Sequence, residues 1–294
     1  MKGIIIAGGN GTRLTPLTKV ISKALLPVYD KPMIYYPLSI LMEAEITDIL
    51  IITTPQDKKR YIELLGNGSH LGLSIVYEVE PNPKGIAQAF IIGEKFIGDE
   101  PVTLILGDNI FSGDVGPLIK KSKNRKKGAT VFGYQVKDPE RFGVVELDEY
   151  GKAIALEEKP LNPKTNIAVT GLYIYDNQVI EIAKNLVPSD RGELEITDVN
   201  KEYLATKTLH VELLKEEVLW FDTGTHQSLQ QANQFVKEVE QLQNKKIGCI
   251  EEIAFKKGLI TRKQLYLLAK QQIKSEYGDY LLKVAKNKHN FLRD

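Results

Sequence analysis

The sequence predicts an α/β fold in which helices cover a mixed, mostly parallel β-sheet, followed by a helical C-terminal part. Three observations support this prediction. Up to about residue 140, short apolar runs alternate with segments of helical spacing. Runs such as residues 49–52 are continuously apolar, which is typical of strands buried on both faces. From His226 onward the spacing is helical almost throughout, with a break near Gly258.

The first half of the chain contains the alternating elements. Predicted strands are residues 3–7, 48–53, 74–77, 102–106 and 129–135. Predicted helices are residues 32–44, 56–65, 86–96 and 115–123. Since parallel strands need crossover connections, usually helices, this order favours a parallel sheet with both faces covered.

The pattern changes after about residue 140. Residues 142–147, 153–157 and 168–175 are predicted strands with no helix between them, which indicates an antiparallel or mixed extension of the sheet. Residues 208–214 and 218–221 are later predicted strands. We therefore expect an α/β core of residues 1–225 and a helical C-terminal extension of residues 226–294 packed on it.

Composition narrows the class of protein. The 294 residues are 43% hydrophobic, enough to bury a core, and the net charge of +1 gives no general attraction for nucleic acid or anionic membranes. The single cysteine, Cys249, excludes an internal disulfide. No run reaches the roughly 18 apolar residues of a membrane span, and the N-terminal apolar run is too short for a signal peptide. We expect a cytoplasmic protein.

A strongly basic run at residues 120–127 leaves a nucleic-acid-binding module as an alternative. The run lies at the predicted end of a helix, where cations interact favourably with the helix dipole. No aromatic residue is interleaved to stack on bases. A solvated surface is the preferred interpretation, and no nucleic-acid partner is expected.

A glycine loop follows the first strand. Gly8, Gly9 and Gly11 allow close backbone approach, so that successive N–H groups can face an anion. Arg13 and Lys23 add two cations, and the guanidinium fork suits phosphate oxygens. The dinucleotide fingerprint and the Walker loop both fit poorly here. An ordinary glycine-rich turn is the competing interpretation.

The segment GGNGTRLTPLT at residues 8–18, followed by KALLPV at residues 23–28, resembles the signature of the sugar-phosphate nucleotidyltransferases. The likeness spans about residues 2–255. Its further segments are GIAQAF at residues 85–90, LGDN at 106–109, EEKP at 157–160, GELEITDVN at 192–200 and WFDTGTH at 220–226.

This resemblance implies a Rossmann-like, glycosyltransferase-A-like nucleotidyltransferase fold. It also implies transfer of a thymidylyl group from dTTP to α-D-glucose 1-phosphate, with release of pyrophosphate. The resembled enzymes are homotetramers with a second, regulatory nucleotide site, for which residues 249–252 are a candidate contact. Alternatives are the same chemistry with UTP or another sugar 1-phosphate, and a noncatalytic sugar-nucleotide sensor on the same fold.

Two aspartates, Asp108 and Asp222, each follow an apolar run, where open α/β sheets bind ligands. Aspartate there is more often a turn former or a helix cap. The resemblance implies that both bind Mg²⁺, which prefers oxygen ligands. The cysteine and four histidines cannot form a usual zinc site, and we interpret His226 as a helix-start residue.

The resemblance also implies roles for individual residues. The catalytic set is Arg13, Lys23, Asp108 and Asp222, and the proposed nucleophile is a phosphate that needs no general base. The expected nucleotide-binding residues are Gly8, Gly9, Gly11, Thr12, Arg13, Glu80, Gly85 and Gln88. The expected sugar-phosphate-binding residues are Asn109, Gly143, Glu158, Lys159, Val169 and Glu193.

Two of these assignments have open alternatives. Glu193 could instead cap or order a helix at residues 196–205. Glu80 stands where the resembled family usually has glutamine. A carboxylate can accept the N3–H of thymine or uracil but cannot donate to a base carbonyl, so the preference for thymine over uracil is open.

Overall fold

A nine-stranded mixed sheet organises the described part of the chain. The structure is a computed structural model that describes residues 1–9, 11–123, 125 and 127–287. The strands are β1 (Lys2–Ile6), β2 (Pro27–Val28), β3 (Lys31–Pro32), β4 (Asp48–Thr53), β5 (Ser74–Val79), β6 (Val102–Leu106), β7 (Asn109–Ser112), β8 (Ala129–Gln135), β9 (Gly143–Leu147), β10 (Ala153–Glu158), β11 (Ile167–Tyr175), β12 (Leu209–Leu213) and β13 (Leu219–Asp222).

Helices flank this sheet and form the C-terminal part. They are α1 (Tyr35–Glu43), α2 (Lys58–Leu65), α3 (Gln88–Ile92), α4 (Glu94–Ile97), α5 (Gly116–Lys123), α6 (Val179–Asn185), α7 (Ile196–Ala205), α8 (His226–Gln243), α9 (Ile250–Lys256), α10 (Arg262–Gln271) and α11 (Glu276–Lys286). None of these described helices is long and apolar enough to cross a membrane.

The strand order is β10-β9-β11-β6-β1-β4-β5, with β8 and then β12 added beside β11. Strand β1 is parallel to β4 and β6, and β4 is parallel to β5. Strand β11 runs antiparallel to β6, β8 and β9. The predicted fold class and the predicted mixed extension after residue 140 are therefore confirmed.

Both faces of the central strands are buried, as their continuous apolar runs predict. Ile4 lies beside Leu50 and Leu104 in the sheet, and these side chains pack on one face. The next residues, Ile5 and its neighbours on β4 and β6, pack on the opposite face. Alternation of side chains along a strand makes this division. The second face also contacts α9, α10 and α11, so the C-terminal helices share the core of the sheet. The boundary at residue 225 stays a prediction.

The predicted elements depart from the structure at two helices. The predicted helix 86–96 is two helices that meet at Gly93, where a Cβ would lie 3.1 Å from side-chain carbons of Ile4 and Leu50. The predicted helix 32–44 begins only at Tyr35, because β2 and β3 form a short antiparallel pair before it. Strands β2, β3 and β7 and helix α6 were not predicted, since such short runs carry little periodicity.

The basic run at residues 120–127 is largely paired within the protein. Lys120 lies 2.5 Å from Glu45, and Arg125 lies 2.6 Å from Glu212. Lys123 donates to the carbonyl of Ala44. Asn124 and Lys126 lie outside the described residues. These internal pairs favour the solvated-surface interpretation.

Candidate active site

The site is built where β7 and β13 pair, which brings together two segments more than 100 residues apart. In this antiparallel pair Asp222 lies opposite Asn109, the residue after Asp108. Thr223 ties the two segments further, since its backbone N–H and its hydroxyl both donate to the carbonyl of Asp108, at 3.2 and 2.7 Å. The predicted convergence of Asp108 and Asp222 is thus observed.

Two cations lie against these carboxylates. Lys23 forms an ion pair with Asp108, and its side chain is only 11% exposed. Arg13 lies beside Asp222, because both side chains approach the same point at Gly224. A Cβ added to Gly224 would lie 2.8 Å from the Arg13 Nη2 and 3.1 Å from the Asp222 Oδ2. Arg13 and Lys23, the two cations that follow the first strand, therefore lie next to the two aspartates.

The charges of this cluster affect one another. Burial acts to raise the pKa of Asp108, but the charge and hydrogen bond of Lys23 outweigh it, and the pKa is lowered. Burial and the charge of Asp108 together raise the pKa of Asp222, although Lys23 and Arg13 oppose them. One carboxylate is thus strongly ionised, and the second is destabilised as an anion beside it.

The donor set fits a magnesium ion. The two carboxylates lie close enough for the charge of Asp108 to raise the pKa of Asp222, and a divalent cation would relieve this repulsion. Within residues 1–9, 11–123, 125 and 127–287, no group of three or more His, Cys, Asp or Glu side chains could hold a metal. Mg²⁺ commonly uses one or two carboxylates and takes its other ligands from substrate phosphates and water. Asp108 and Asp222 match that requirement.

Asn109 holds Asp108 in place. Its side-chain Oδ1 accepts hydrogen bonds from the Gly171 N–H (3.0 Å) and the Trp220 Nε1–H (2.6 Å). Its Nδ2 donates to Asp108 at 2.8 Å, and the residue is 2% exposed. The contact of Asn109 with sugar stays a prediction, and its observed contacts are within the protein.

The glycine loop adjoins Glu80. A Cβ at Gly8 would lie 3.3 Å from the Glu80 Oε2, and Gly9 has open space around it. Gly11 has a left-handed φ of 55°, and its carbonyl accepts the Thr18 hydroxyl at 2.8 Å. A short 3-10 turn begins at Thr12. Asn10 of this loop lies outside the described residues.

The loop between β5 and α3 follows Glu80 in the chain. Gly85 has a φ of 105°, and a Cβ there would lie 2.4 Å from the Leu194 carbonyl oxygen. The Gln88 side chain accepts the Lys84 N–H at 2.8 Å, so it stabilises this loop. Gly85 and Gln88 therefore shape the loop that follows Glu80.

The Glu158 side chain lies close to Gly143 and Thr197. The Thr197 hydroxyl donates to the Glu158 Oε2 at 2.5 Å, and a Cβ at Gly143 would lie 3.0 Å from the same oxygen. The Lys159 Nζ lies 3.3 Å from the Glu158 Oε1. Val169, in β11, is 8% exposed. Four of the predicted sugar-site residues are thus placed on β9, on β11 and at the end of β10.

Glu193 is exposed and lies 3.7 Å from Arg191. The N-cap of α7 is Glu195, so Glu193 does not cap that helix. Arg191 binds both carboxylate oxygens of Glu195 at 2.8 Å and reaches Glu158 at 3.3 Å. The sugar contact of Glu193 stays a prediction.

Sequence reasoning missed several residues of the site. Arg141 lies 3.6 Å from the Asp222 Oδ2 and stacks on the ring of Phe142. With Trp220 these residues line a cavity of about 550 Å³ beside Asp222. Arg191 and Thr197, which bind Glu158, were also missed. Nothing in the spacing of Arg141 and Asp222 along the chain indicates that they meet. His226, in contrast, starts α8 as predicted, after the N-cap Thr225.

A larger cavity, of about 1210 Å³, lies among α8, α9 and α11 and shares no lining residue with the carboxylate cluster. Glu252 lines it, whereas Cys249 is buried at 1% exposure. Glu252 is therefore the residue of the predicted regulatory segment that borders this cavity.

Comparisons with known proteins match most of this chain. The model of the family described as "Nucleotidyl transferase" matches residues 2–239. A glucose-1-phosphate thymidylyltransferase of Neisseria meningitidis serogroup A is 56% identical, over 97% of this chain and 100% of that protein. One from Mycobacterium tuberculosis strain H37Rv is 52% identical, over 97% of this chain and 99% of that protein.

Solved structures show the same likeness. A Bacillus anthracis crystal structure, provisionally given the same enzyme name and containing sucrose, superposes with a TM-score of 0.76 at 48% identity. It covers 80% of this chain and 94% of that chain. A UDP-glucose pyrophosphorylase complexed with UDP-glucose superposes with a TM-score of 0.72 at 26% identity, over 81% of this chain and 98% of that one.

Proposed function

Because the chain belongs to the nucleotidyl transferase family, we propose that it transfers the thymidylyl group of dTTP to α-D-glucose 1-phosphate and releases pyrophosphate. Relatives named glucose-1-phosphate thymidylyltransferase align with this chain over 97% of its length. The observation that carries the proposal is the cluster of Arg13, Lys23, Asp108 and Asp222, two cations beside two carboxylates. Such a cluster suits phosphoryl chemistry, where the main task is electrostatic.

The nucleophile is the phosphate of the sugar 1-phosphate, which is mostly dianionic at pH 7, since the second pKa of a phosphomonoester is about 6. It needs no general base. The obstacle is repulsion, because an anion must attack a phosphorus that belongs to another anion. Arg13 grips the triphosphate and stabilises the departing pyrophosphate, and Lys23 draws the two phosphates together. Both side chains also lie near the two carboxylates, whose negative charge they partly neutralise.

Asp108 and Asp222 would hold Mg²⁺, which when bound neutralises the charge that develops on phosphate oxygens. The chain's own residues keep the two ligands in position. Asn109 orients Asp108 through a hydrogen bond, and Thr223 fixes the backbone of Asp108 against β13. Lys23 keeps Asp108 ionised. Preorganised groups of this kind need little rearrangement during the reaction.

The sugar would lie against Glu158 and the backbone at Gly143. Thr197 and Arg191 hold the Glu158 carboxylate, which leaves acceptor capacity for sugar hydroxyls. Lys159 is adjacent and can meet the sugar phosphate. The glycine loop next to Glu80 would receive the nucleotide, with the backbone N–H groups of the loop facing its phosphates.

A pyrophosphate-release assay tests the proposal. The purified chain, with Mg²⁺, is given dTTP, UTP, CTP or ATP in combination with glucose, galactose, mannose or glucosamine 1-phosphate. We expect the highest kcat/KM for dTTP with glucose 1-phosphate, and loss of turnover when EDTA removes the metal. Highest turnover with UTP would assign a uridylyltransferase instead. Binding of sugar nucleotides without release of pyrophosphate from any pair would refute the enzyme and indicate a sensor.

The homotetramer and the second nucleotide site near residues 249–252 also stay predictions from the resemblance. Light scattering on the purified protein should give four times the 33.0 kDa mass of the chain. A dimer or monomer at micromolar concentration would contradict the tetramer.

A further inference from the structure

The carbonyl of Ala7, at the end of the first strand, is bound by a side chain. Strand β1 ends at Ile6, whose carbonyl still accepts the Gly107 N–H at 2.8 Å. Ala7 is the next residue and is 4% exposed. A buried carbonyl needs a hydrogen-bond partner, since it has lost its water. The Ser22 hydroxyl supplies that partner, donating to the Ala7 carbonyl at 3.0 Å.

Tyr61 of α2 holds the Ser22 hydroxyl in this position. The two hydroxyl oxygens are 2.8 Å apart, and both residues are buried, Ser22 at 6% and Tyr61 at 0% exposure. Ser22 has one proton, and we assign it to Ala7 because the Tyr61 hydroxyl is more distant from that carbonyl, at 3.4 Å. Tyr61 is then the donor to Ser22. Burial raises the pKa of Tyr61, so the phenol keeps its proton at neutral pH.

The bond between Ser22 and Ala7 joins the two ends of one chain segment. Residues 8–21, which contain the glycine loop, begin immediately after Ala7 and end immediately before Ser22. The loop and the residues beyond Ser22 are close in space, since a Cβ added at Gly11 would lie 3.4 Å from the Lys23 Cβ. The Ser22 hydroxyl therefore closes the base of the glycine-loop segment.

Ser22 also sets the start of the turn that carries Lys23. It is the N-cap of the short 3-10 turn Lys23–Leu25, and its carbonyl accepts the Leu25 N–H at 3.0 Å. From this turn the Lys23 side chain reaches Asp108. The backbone of Ser22 thus begins the turn while its side chain is held at the end of β1, so a shift of Ser22 would move the Lys23 cation.

We propose that Ser22 is a positioning residue that acts through Lys23: its hydroxyl, held by Tyr61, fixes the Lys23 ammonium against the carboxylate cluster. This inference rests on the proposed function and adds a residue to the machinery of that reaction. Loss of the hydroxyl leaves the charge of Lys23 present but its position unfixed. Misplacement of a reacting or binding group by about 1 Å can cost about 100-fold in rate.

The test is Ser22→Ala in the pyrophosphate-release assay, made in wild type and in a Lys23→Met background. In wild type we expect kcat to fall about 10–100-fold. In the Lys23→Met background we expect a further loss of no more than about twofold, because the effects of residues that act as a unit do not add. Equal losses in the two backgrounds would overturn the proposal, and so would a wild-type kcat in Ser22→Ala.

Ser39→Ala is the matched control. Ser39 in α1 is also a buried serine, 4% exposed, and its hydroxyl donates to the Tyr36 carbonyl at 2.7 Å. We expect this variant to keep wild-type kcat, with urea unfolding showing that both serine variants are folded. A loss in Ser39→Ala as large as that in Ser22→Ala would overturn the proposal, since any buried hydroxyl would then have the same effect.

A binding measurement tests the proposal without turnover. Calorimetric titration of inorganic pyrophosphate with Mg²⁺ reports how well the site holds phosphates. We expect Ser22→Ala to raise the Kd about tenfold, at the lower end of what loss of a hydrogen bond to a charged group costs. Ser39→Ala should bind as wild type does. An unchanged Kd in Ser22→Ala would overturn the proposal.

Two further arrangements keep the outcomes distinct. If Ser22→Ala does not fold, Tyr61→Phe takes its place in both assays, because it removes the hydroxyl that holds Ser22 and keeps the buried ring. We then expect kcat and pyrophosphate affinity to fall, and wild-type values of both would overturn the proposal. The proposed function fails separately, when wild type releases no pyrophosphate from any substrate pair. Turnover by wild type with an unchanged kcat in Ser22→Ala would refute only the role of Ser22.

Discussion

Replacement of Asn109 by alanine tests whether a buried amide organises the carboxylate cluster. The Asn109 side chain accepts two hydrogen bonds, from Gly171 and Trp220, and donates one to Asp108. Alanine removes all three. The Gly171 N–H and the Trp220 indole N–H then lose their acceptor, and Asp108 loses a donor that orients it.

The expected magnitude follows from these three contacts. A buried donor left without a partner costs about 1–3 kcal/mol. The Gly171 N–H is buried and the indole N–H is partly buried, so we expect Asn109→Ala to lower the free energy of unfolding by about 2–5 kcal/mol. Loss of a group that orients a metal ligand typically costs about 10–100-fold in activity, and we expect that loss in kcat.

Tryptophan fluorescence can report on these hydrogen bonds directly. Trp220 is the single tryptophan of the chain, and its indole N–H is the donor to Asn109. Its fluorescence therefore reports both the native environment of the site and urea-induced unfolding. We would measure the unfolding midpoint of each variant and determine kcat in buffer where each variant is folded.

The matched control is Asn185→Ala. Asn185 also donates from its Nδ2, to the Glu181 carbonyl at 2.8 Å, but at an exposed position. Its loss should change the free energy of unfolding by no more than about 0.5 kcal/mol. If Asn109→Ala lost less than about 1 kcal/mol and kept wild-type kcat, the amide would not organise the site.

Three further predictions concern the charges of the cluster, the loop before α3 and a buried ion pair. Arg13→Ala and Asp108→Asn should each reduce kcat about 100-fold or more while circular dichroism and thermal midpoint show a folded protein, because each removes a preorganised charge. Gly85→Ala should lower the unfolding free energy by more than about 2 kcal/mol, since it adds left-handed strain and a Cβ 2.4 Å from a carbonyl oxygen. Lys31→Met should cost about 3 kcal/mol in urea unfolding, because it removes the 1%-exposed cation that pairs with the 5%-exposed carboxylate of Glu240.

Near wild-type turnover in either charge variant would contradict its assigned role. The two stability predictions each have a control in the same chain. Gly151→Ala has a comparable φ of 76° but no atom within 4 Å, so it should cost only about 1–2 kcal/mol, and an equal loss at Gly85 would discount the clash. Lys59→Met removes an exposed pair with Glu63 and should cost less than about 1 kcal/mol. If Lys31→Met lowered the free energy of unfolding by no more than Lys59→Met does, burial of the Lys31 ion pair would not matter for stability.

Local pattern was sufficient for much of the fold. The strands Asp48–Thr53, Val102–Leu106 and Ala129–Gln135 have the bounds that the apolar runs predict. A strand buried on both faces is apolar at nearly every position, so its sequence is distinctive. The break between α9 and α10 near Gly258 was predicted for a similar reason, since glycine favours the left-handed φ of 70° found there.

The site was predictable only in part. The glycine loop, Arg13 and Lys23 lie close together in the chain, and the resemblance was enough to identify Asp108 and Asp222 as partners. Arg141 was missed because its distance to Asp222 depends on how the 3-10 turn Pro139–Arg141 lies relative to the end of β13, and sequence spacing contains no information on that placement. Strand β7, only four residues long, was missed for lack of periodicity.

The sequence by itself determined the residue types of the chemistry: glycines for close approach, two cations and two carboxylates. Only the tertiary structure decided that Asp222 pairs opposite the residue after Asp108 and that the Glu80 side chain is buried. The physical reason is that proximity across more than 100 residues, and the pKa of a carboxyl, depend on what surrounds a side chain in space rather than on its neighbours in the chain.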